Sequence, residues 1–380
     1  MALLRKFTKT FFVLFNLAVA LLFLLACANP FVHPTSWWPF SLLGLIFPFL
    51  LLLLIGFLVF WLCLPSKSWA LLSVAAMAIG FNNIRACFAF HPLASFSETR
   101  QPASLRILTW NVRSWDEFTT KKAGTSGHRE KMLRFLGQVN PDIMCFQEFF
   151  ESHENHGLEA TIPYIRDRLH FPYYFFSRDY RHKDGLYETG VIIFSKYPIV
   201  DSIRIRFGAN DTAHMRESLL AIDISVRGQT SRIFTTHLQS VLFRSRDYRN
   251  LEIIRNVDDS VLEASRSIVK KLHRAAALRS GQADIVRDEL DRSPYPVIIC
   301  GDFNDVPNSY TYFRIRGNRQ DAFLQKGFGM GRTYMHLSPT LRIDYILADK
   351  RYNILQCRKY PLPYSDHHPV VADLALPPGE

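Results

Sequence analysis

The chain has 380 residues, with 45 Lys and Arg against 34 Asp and Glu, and 48% of it is apolar. Its six cysteines show no zinc-type spacing, and Cys145 and Cys300 lie inside apolar runs, which excludes a zinc finger and a disulfide framework. Beyond residue 100 there remain 39 basic and 33 acidic residues, a mild excess that suits an anionic substrate but is too weak to define a nucleic-acid binder.

The first quarter differs in kind from the rest. Residues 11 to 28 and 41 to 64 carry no charge and are nearly all apolar, and a weaker run covers Trp69 to Phe81. About 20 apolar residues span a bilayer. The second run is long enough, the first is borderline, and the third needs residues 82 to 90 to reach. A cleaved signal peptide competes for the first run, because Arg5, Lys6 and Lys9 precede it and Ala26-Cys27-Ala28 follows it; a lipoprotein-type cysteine at Cys27 is a variant of that reading. The long apolar run immediately behind favours a membrane anchor of about three helices over residues 1–90. Basic residues set its orientation. Arg5, Lys6, Lys9 and Lys67 flank one side, while residues 29 to 40 have no Lys or Arg and carry Trp37 and Trp38. The positive-inside rule puts the N-terminus in the cytoplasm, and three crossings carry everything after residue 92 outside. The expected location is the bacterial inner membrane, with the second domain extracytoplasmic. Two crossings would leave that domain cytoplasmic, and Arg85 keeps this alternative open.

A polar, Pro- and Ser-containing linker is expected over 91–103, followed by a domain at 104–376. Short β-branched runs then alternate with polar helical stretches. Strands are expected at Leu105–Trp110, Ile143–Phe146, Gly190–Phe194, Leu219–Val226, Ser231–Thr236, Val297–Cys300, Arg342–Leu347 and Val370–Leu374. Helices are expected at 128–139 and 244–292. The second is rich in charge of both signs (Asp247, Asp258, Asp259 and Glu263 among its basic residues), so a solvated face is the simpler reading of it than a phosphate-binding one. Many strands with few helices predict a mixed α/β fold with two sheets.

Polar groups recur where these strands begin or end. Asn111 closes the first, and Gln147-Glu148 closes the second. Glu188 opens the third, and Thr236-His237-Leu238-Gln239 closes another. Gly301-Asp302-Phe303-Asn304 follows the apolar run Val297–Cys300, and its Asp and Asn share a face because extended side chains alternate. Asp344 lies in a strand, where an unpaired carboxylate would be costly. Ser365-Asp366-His367-His368 precedes the last strand. Taken singly, each group has a plainer reading: a strand-end turn for Asp302 and Asn304, a surface carboxylate for Glu148 and Glu188, a hydrogen-bonded core histidine for His237.

Together, and in this order, these motifs resemble the endonuclease/exonuclease/phosphatase superfamily over residues 104 to 376, closest in combination to its membrane-anchored bacterial members. The resemblance implies a two-sheet α/β sandwich and a Mg²⁺-dependent phosphoesterase, with Mn²⁺ as the alternative ion. Glu148 would be the principal metal ligand, Asn111 would help as a ligand or a phosphate contact, and Asp366 would complete the site. Asp302 would orient or deprotonate the attacking water, and Asn304 would hydrogen-bond the phosphoryl oxygens. His237 and His367 would serve as general acid/base groups near neutral pH. Asp344 would steady His237 or the water, Asp366 would orient His367, and Glu188 would pair with the first histidine. Relatives that repair abasic sites carry tyrosine where this chain has His237, which moves the expectation toward sphingomyelinase-, deadenylase- and tyrosyl-DNA-phosphodiesterase-like members.

The expected function is therefore hydrolysis of a phosphodiester, in nucleic acid or a phospholipid headgroup, by an enzyme held on the lipid bilayer. No protein partner is inferable. A catalytically silent binding or scaffold protein using the same cleft is the alternative, and missing site residues would be its sign. A transporter is disfavoured, because no charge interrupts the apolar segments before Arg85. The loops expected to set specificity, 115 to 128, 151 to 170 and 241 to 290, carry no decodable signal.

Overall fold

The computed structural model describes residues 2–117, 127–153, 159–182, 185–208, 217–241 and 261–377. Parts of all three expected specificity loops, and residues 244–260 of the expected long helix with Asp247, Asp258 and Asp259, lie outside the described residues. The chain divides into two compact units. One is drawn from Met1–Phe88, Ser240–Ala283 and Val306–Ile315, and the other from Ala89–Gln239, Asp284–Asp305 and Arg316–Glu380.

The first unit is built on apolar helices. α1 (Ala2–Ala28) and α2 (Pro39–Leu62) are each long and apolar enough to cross a membrane. The third apolar segment is broken. α3 (Ala70–Ile79) and α4 (Phe81–Cys87) meet at a 66° bend and count as a third span only when taken together. Gly80 sits at the break, where a side chain would strike Phe23 and Cys27 of α1. The glycine admits the neighbouring helix and weakens its own, which gives the bend a local cause.

The second unit is a two-sheet α/β sandwich. Its strands are β1 (Ala89–Phe90), β2 (Ser104–Asn111), β3 (Ile143–Ser152), β4 (Tyr173–Arg181), β5 (Tyr187–Ser195), β6 (Ile199–Arg206), β7 (Ser218–Val226), β8 (Gln229–His237), β9 (Val297–Asp302), β10 (Gln320–Asp321), β11 (Phe328–Gly329), β12 (Asp344–Ala348), β13 (Asn353–Lys359) and β14 (Val370–Ala375). One six-stranded sheet runs β10-β12-β9-β8-β7-β6, and the other runs β13-β14-β2-β3-β5-β4. The polar joint after the first unit is held in place. Ala89–Phe90 pair with Phe328–Gly329, and the Ser97 amide donates to Gln356 Oε1 at 2.8 Å.

Each sheet contains a parallel pair, β2 with β3 and β8 with β9. Parallel neighbours need a crossover. α5 (Arg129–Val139) lies between β2 and β3; α6 (Ile162–Arg168) follows β3; and α7 (Val261–Arg292) lies between β8 and β9. α8 (Tyr310–Arg316) and α9 (Ala322–Lys326) follow β9. β7 and β8 form a tight hairpin through Arg227 and Gly228, both at positive φ (54° and 81°), the backbone of a two-residue primed turn.

The core alternates as pleated strands require. Leu105 and Ile107 of one sheet meet Ile222, Ile233, Ile298 and Ile346 of the other between the two layers. Leu108, Trp110, Phe146 and Phe149 face the opposite way and pack with Met132 and Leu136 of α5. Burial of this kind stabilises by about 25 cal/mol per Å² of apolar surface.

Candidate active site

The alternation that packs the core also assembles the site. Ile107 on β2, Cys145 on β3, Ile233 on β8, Cys300 on β9 and Ile346 on β12 all face the inter-sheet core. Side chains two or four residues away on an extended strand share that face. Asn111, Gln147, His237, Asp302 and Asp344 occupy those positions at one end of the strands. Register completes the convergence: Asn111 pairs with Gln147, and His237 and Asp344 both pair with Asp302. Polar side chains thus close the mouth of an otherwise apolar interior.

Asn111 is the hub. Its Nδ2 donates to Glu148 Oε1 at 3.0 Å and to Asp302 Oδ2 at 3.1 Å. Nε2 of His237 lies 3.6 Å from Asp302 Oδ2 and 3.9 Å from Glu148 Oε1. Nε2 of His367 lies 3.7 Å from the same Asp302 oxygen, and its Nδ1 is 3.0 Å from Asp344 Oδ2. Glu148 sits at φ 49°, at the irregularity between Phe146 and Phe149 in the β3–β5 ladder. Such a bulge redirects a side chain, and here the carboxylate is left half exposed at the mouth. Asn304, at φ 52°, donates through its backbone N–H to Asp302 Oδ1 (2.9 Å) and through Nδ2 to the Leu238 carbonyl (2.9 Å). Gly301 has φ 145°, and a side chain there would enter the Thr236 carbonyl, so only glycine lets β9 run this close to β8.

The loop carrying His367 is fastened to the end of β2. Trp110 Nε1 donates to the His367 carbonyl at 2.8 Å, and Ser365 Oγ donates to the Asn111 carbonyl at 2.8 Å. Burial alone would pull the His367 pKa down. Asp344 and Asp302 outweigh it and hold the imidazolium up to about 10. Burial pushes the Asp302 carboxyl up, and Asp344 adds to this against the opposing pull of His367 and His237. A carboxylate with a raised pKa is a better proton acceptor.

Three expected relationships differ in the structure. Asp344 holds His367, not His237. Asp366 turns toward Arg113, its Oδ2 3.6 Å from Nε, instead of orienting His367 or joining Glu148 and Asn111. Glu188 pairs with His153 at 2.8 Å and Arg178 at 2.7 Å, not with the first histidine. The cause is parity. Ile192 and Phe194 of β5 belong to the outer core, and Glu188 shares their face; Val191 and Ile193 face inward. The acidic group nearest that expectation is Asp179, in the irregular β4–β5 register between Arg178 and Tyr180. Asp179 lines a cavity of about 200 Å³ together with Glu148, Glu217, Thr189 and His237. Ser177 Oγ and Ser218 Oγ each donate to its Oδ1 at 2.6 Å. Burial raises its pKa to about 6, against the pull of those hydroxyls and of His237. No sequence signal marks a bulged residue on an edge strand. Gln147, read in the sequence only as part of a strand end, has a structural part here: Nε2 donates to Thr235 Oγ1 at 3.0 Å, tying the two sheets together under the site.

The donor chemistry fits a hard divalent cation. Glu148 and Asp302 converge on the Nδ2 of Asn111, a place that calls for positive charge, and both carboxylates offer oxygen there, while Asn111 Oδ1 accepts from the Arg113 N–H at 3.0 Å. The trio Asp302, Asp344 and His367 also has donor atoms within 4.8 Å of one another. There, however, the protonated His367 already supplies the cation, and a metal would need its lone pair. Glu148, half exposed at the mouth, has oxygens that no such cation occupies.

One mouth of the two-sheet sandwich thus gathers carboxylates, amides and imidazoles from separate strands. The family model described as Endonuclease/Exonuclease/phosphatase family matches residues 108–367, and the chain belongs to that family. A second model, a domain of unknown function (DUF8431), matches residues 9–87. Similar solved structures include an endonuclease/exonuclease/phosphatase from Beutenbergia cavernae (18% identity, 72% of each chain covered, TM-score 0.49). The human Nocturnin catalytic domain with bound sulfate is 21% identical (75% of this chain, 98% of that one, TM-score 0.49). An endonuclease/exonuclease/phosphatase family protein from Bacteroides thetaiotaomicron is 18% identical (73% and 99%, TM-score 0.46). No curated protein matches the chain.

Proposed function

We propose that this protein is a membrane-anchored, divalent-cation-dependent phosphodiesterase, with Mg²⁺ the preferred ion, acting on nucleic acid or on a phospholipid headgroup. The observation that carries the reading is the convergence of Asn111, Glu148, His237, Asp302 and His367 from five separate chain segments within hydrogen-bond or ion-pair reach. A bound cation would rest on Glu148 and Asn111, where it would neutralise phosphoryl charge and fix the substrate. Asp302 takes the attacking water's proton or orients it. His367, fixed by Asp344, donates to a phosphoryl oxygen, and His237 donates beside it. Asn304 fixes Asp302 through its backbone N–H, and its side-chain amide hydrogen-bonds the phosphoryl oxygens. Phosphoryl transfer rests mainly on such positioning and charge stabilisation.

The membrane reading rests on α1 and α2 and on a third crossing through α3 and α4. Asn308 and Tyr310, which follow the catalytic segment, meet Asn29 and His33 of the α1–α2 loop. That contact supports a third crossing, which returns the chain to the side of the α1–α2 loop. With the basic residues inside, that side is extracytoplasmic.

The test uses the full chain in detergent, an aryl phosphodiester, and Mg²⁺ added or chelated. Activity is expected to vanish with chelator and to fall by about a hundredfold or more in Glu148→Gln and in His367→Ala. Activity that survives in either variant overturns the mechanism. An inert wild type across nucleic acids, phospholipids and the aryl diester overturns the function and favours a silent binding protein.

A further inference from the structure

Asp344 and His367 meet from two separate segments, and a third segment holds both. Thr333, Tyr334 and Met335 lie on the stretch between β11 and β12. β12 begins at Asp344 with β9 on one flank. On the other flank β10 reaches only Leu347 and Ala348, so no strand among the described residues pairs with the first residues of β12 there. Buried backbone N–H groups need an acceptor. Thr333 supplies it: its Oγ1 accepts from the Ile343 N–H at 3.0 Å and from the Asp344 N–H at 3.1 Å. Thr333 is itself buried, so the hydroxyl stands where water does not reach.

The same residue reaches the loop that carries His367. The Thr333 carbonyl accepts from the His368 N–H at 2.8 Å, and the Met335 N–H donates to the Asp366 carbonyl at 2.8 Å. Between these bonds Tyr334 forms an isolated antiparallel bridge with His367. The Tyr334 ring lies 5.0 Å from the imidazole, centroid to centroid, at an interplanar angle of 58°. The stretch is pinned from behind as well. The N–H groups of Thr333 and Tyr334 both donate to the Leu341 carbonyl, at 2.9 and 3.1 Å, and Arg332 Nε donates to the Tyr334 carbonyl at 2.8 Å. Thr333 thus stands one hydrogen bond from the Asp344 backbone and one from the backbone beside His367. The separation of those two backbones decides whether His367 Nδ1 meets Asp344 Oδ2 at 3.0 Å. A misplacement of about 1 Å at such a contact costs about a hundredfold in rate.

We infer that Thr333 and Tyr334 form a strut that sets the contact between Asp344 and His367, which makes both of them positioning residues. The catalytic consequence rests on the phosphodiesterase reading, but the contact can be read without turnover. In the full chain in detergent, carrying isotope-labelled histidine, a buried imidazole N–H bonded to a carboxylate gives a low-field proton resonance; the His367 signal is the one that His367→Gln removes. Thr333→Val keeps the shape of the residue and removes the acceptor. In that variant the His367 resonance is expected to move upfield or vanish, while Thr333→Ser, which keeps the hydroxyl, retains it. An unmoved resonance in Thr333→Val overturns the inference. Two buried N–H groups lose their acceptor in that variant, which is destabilising. Should it fail to fold, Tyr334→Leu removes the ring, leaves the Thr333 hydrogen bonds in place and must move the same resonance; an unmoved signal there overturns the inference equally. Turnover of the aryl diester supplies the second readout. In Thr333→Val, kcat is expected to fall at least about tenfold with KM within about twofold of wild type, and Thr333→Ser should restore kcat to within about threefold. Equal losses in both variants, or a change confined to KM, overturn the positioning role. A moved resonance in a protein whose wild type is inert keeps the strut and discards the phosphodiesterase reading instead.

Discussion

Asp179 and Asp344 show how neighbours decide what a carboxylate does. Asp344 is buried against the His367 imidazolium, and removing its charge leaves that cation with one carboxylate in place of two. Asp344→Asn keeps the shape, and turnover is expected to fall by about a hundredfold in steady-state kinetics with the fold intact. Asp179 has the opposite balance, because burial raises its pKa from 3.8 to about 6. The folded state therefore keeps a proton that the unfolded chain releases. Its stabilising contribution is complete below pH 3.8 and is lost as pH rises through about 6, roughly 3 kcal/mol in all. Asp179→Asn should flatten that decline, so denaturant titrations at pH 4.5 and 7.5 should give closer midpoints for the variant than for wild type. Equal pH dependence in both proteins contradicts the assignment. At this scale the sequence was only half legible. The residue types and their order pointed to groups that the fold brings together, but partners did not follow from order. His367 finds Asp344 across 23 positions, and Glu188 is turned outward by a parity that its motif does not reveal.

At the scale of elements, strands buried on both sides were readable and edge strands were not. Val297–Cys300 is a continuous apolar run, and Leu105–Trp110 and Leu219–Val226 are apolar apart from Arg106, Thr109, Asp223 and Ser225, all three strands lying inside their sheets with a neighbour on each flank. β4, β6 and β13 escaped, and all three are sheet edges. Edges carry charge on the solvent side, as Arg204 and Arg206 do on β6, and this blurs the pattern while discouraging edge-to-edge aggregation. The parallel β8–β9 pair is the element on which the site most depends. Gly301 makes it possible, since at φ 145° a side chain would enter the Thr236 backbone. Gly301→Ala is expected to destabilise by at least about 2 kcal/mol, seen as a lower thermal midpoint. A midpoint within a degree of wild type would show that the two strands can separate without cost.

For the whole molecule, composition sets an apolar first quarter apart from the rest of the chain. It did not announce that residues 240–283 and 306–315 belong with the apolar helices in one compact unit. Those contacts join positions more than two hundred residues apart, such as Asn29 and Asn308, and nothing periodic encodes them. The topology they support is open to a direct check. Alkaline phosphatase fused after Leu376 should be active in intact cells, and the same reporter after Ser66 should be silent. The reverse pattern would put the catalytic unit in the cytoplasm.

The inward parity shared by Asn111, His237, Asp302 and Asp344 has a consequence for how the gene can vary. Swapping one aliphatic core residue for another disturbs packing by small amounts and leaves every reactive group pointing the same way. Deleting a single codon in β8 or β9 rotates all that follows onto the opposite face. Such a lesion would turn the chemistry inside out while hardly altering the protein's hydrophobic content.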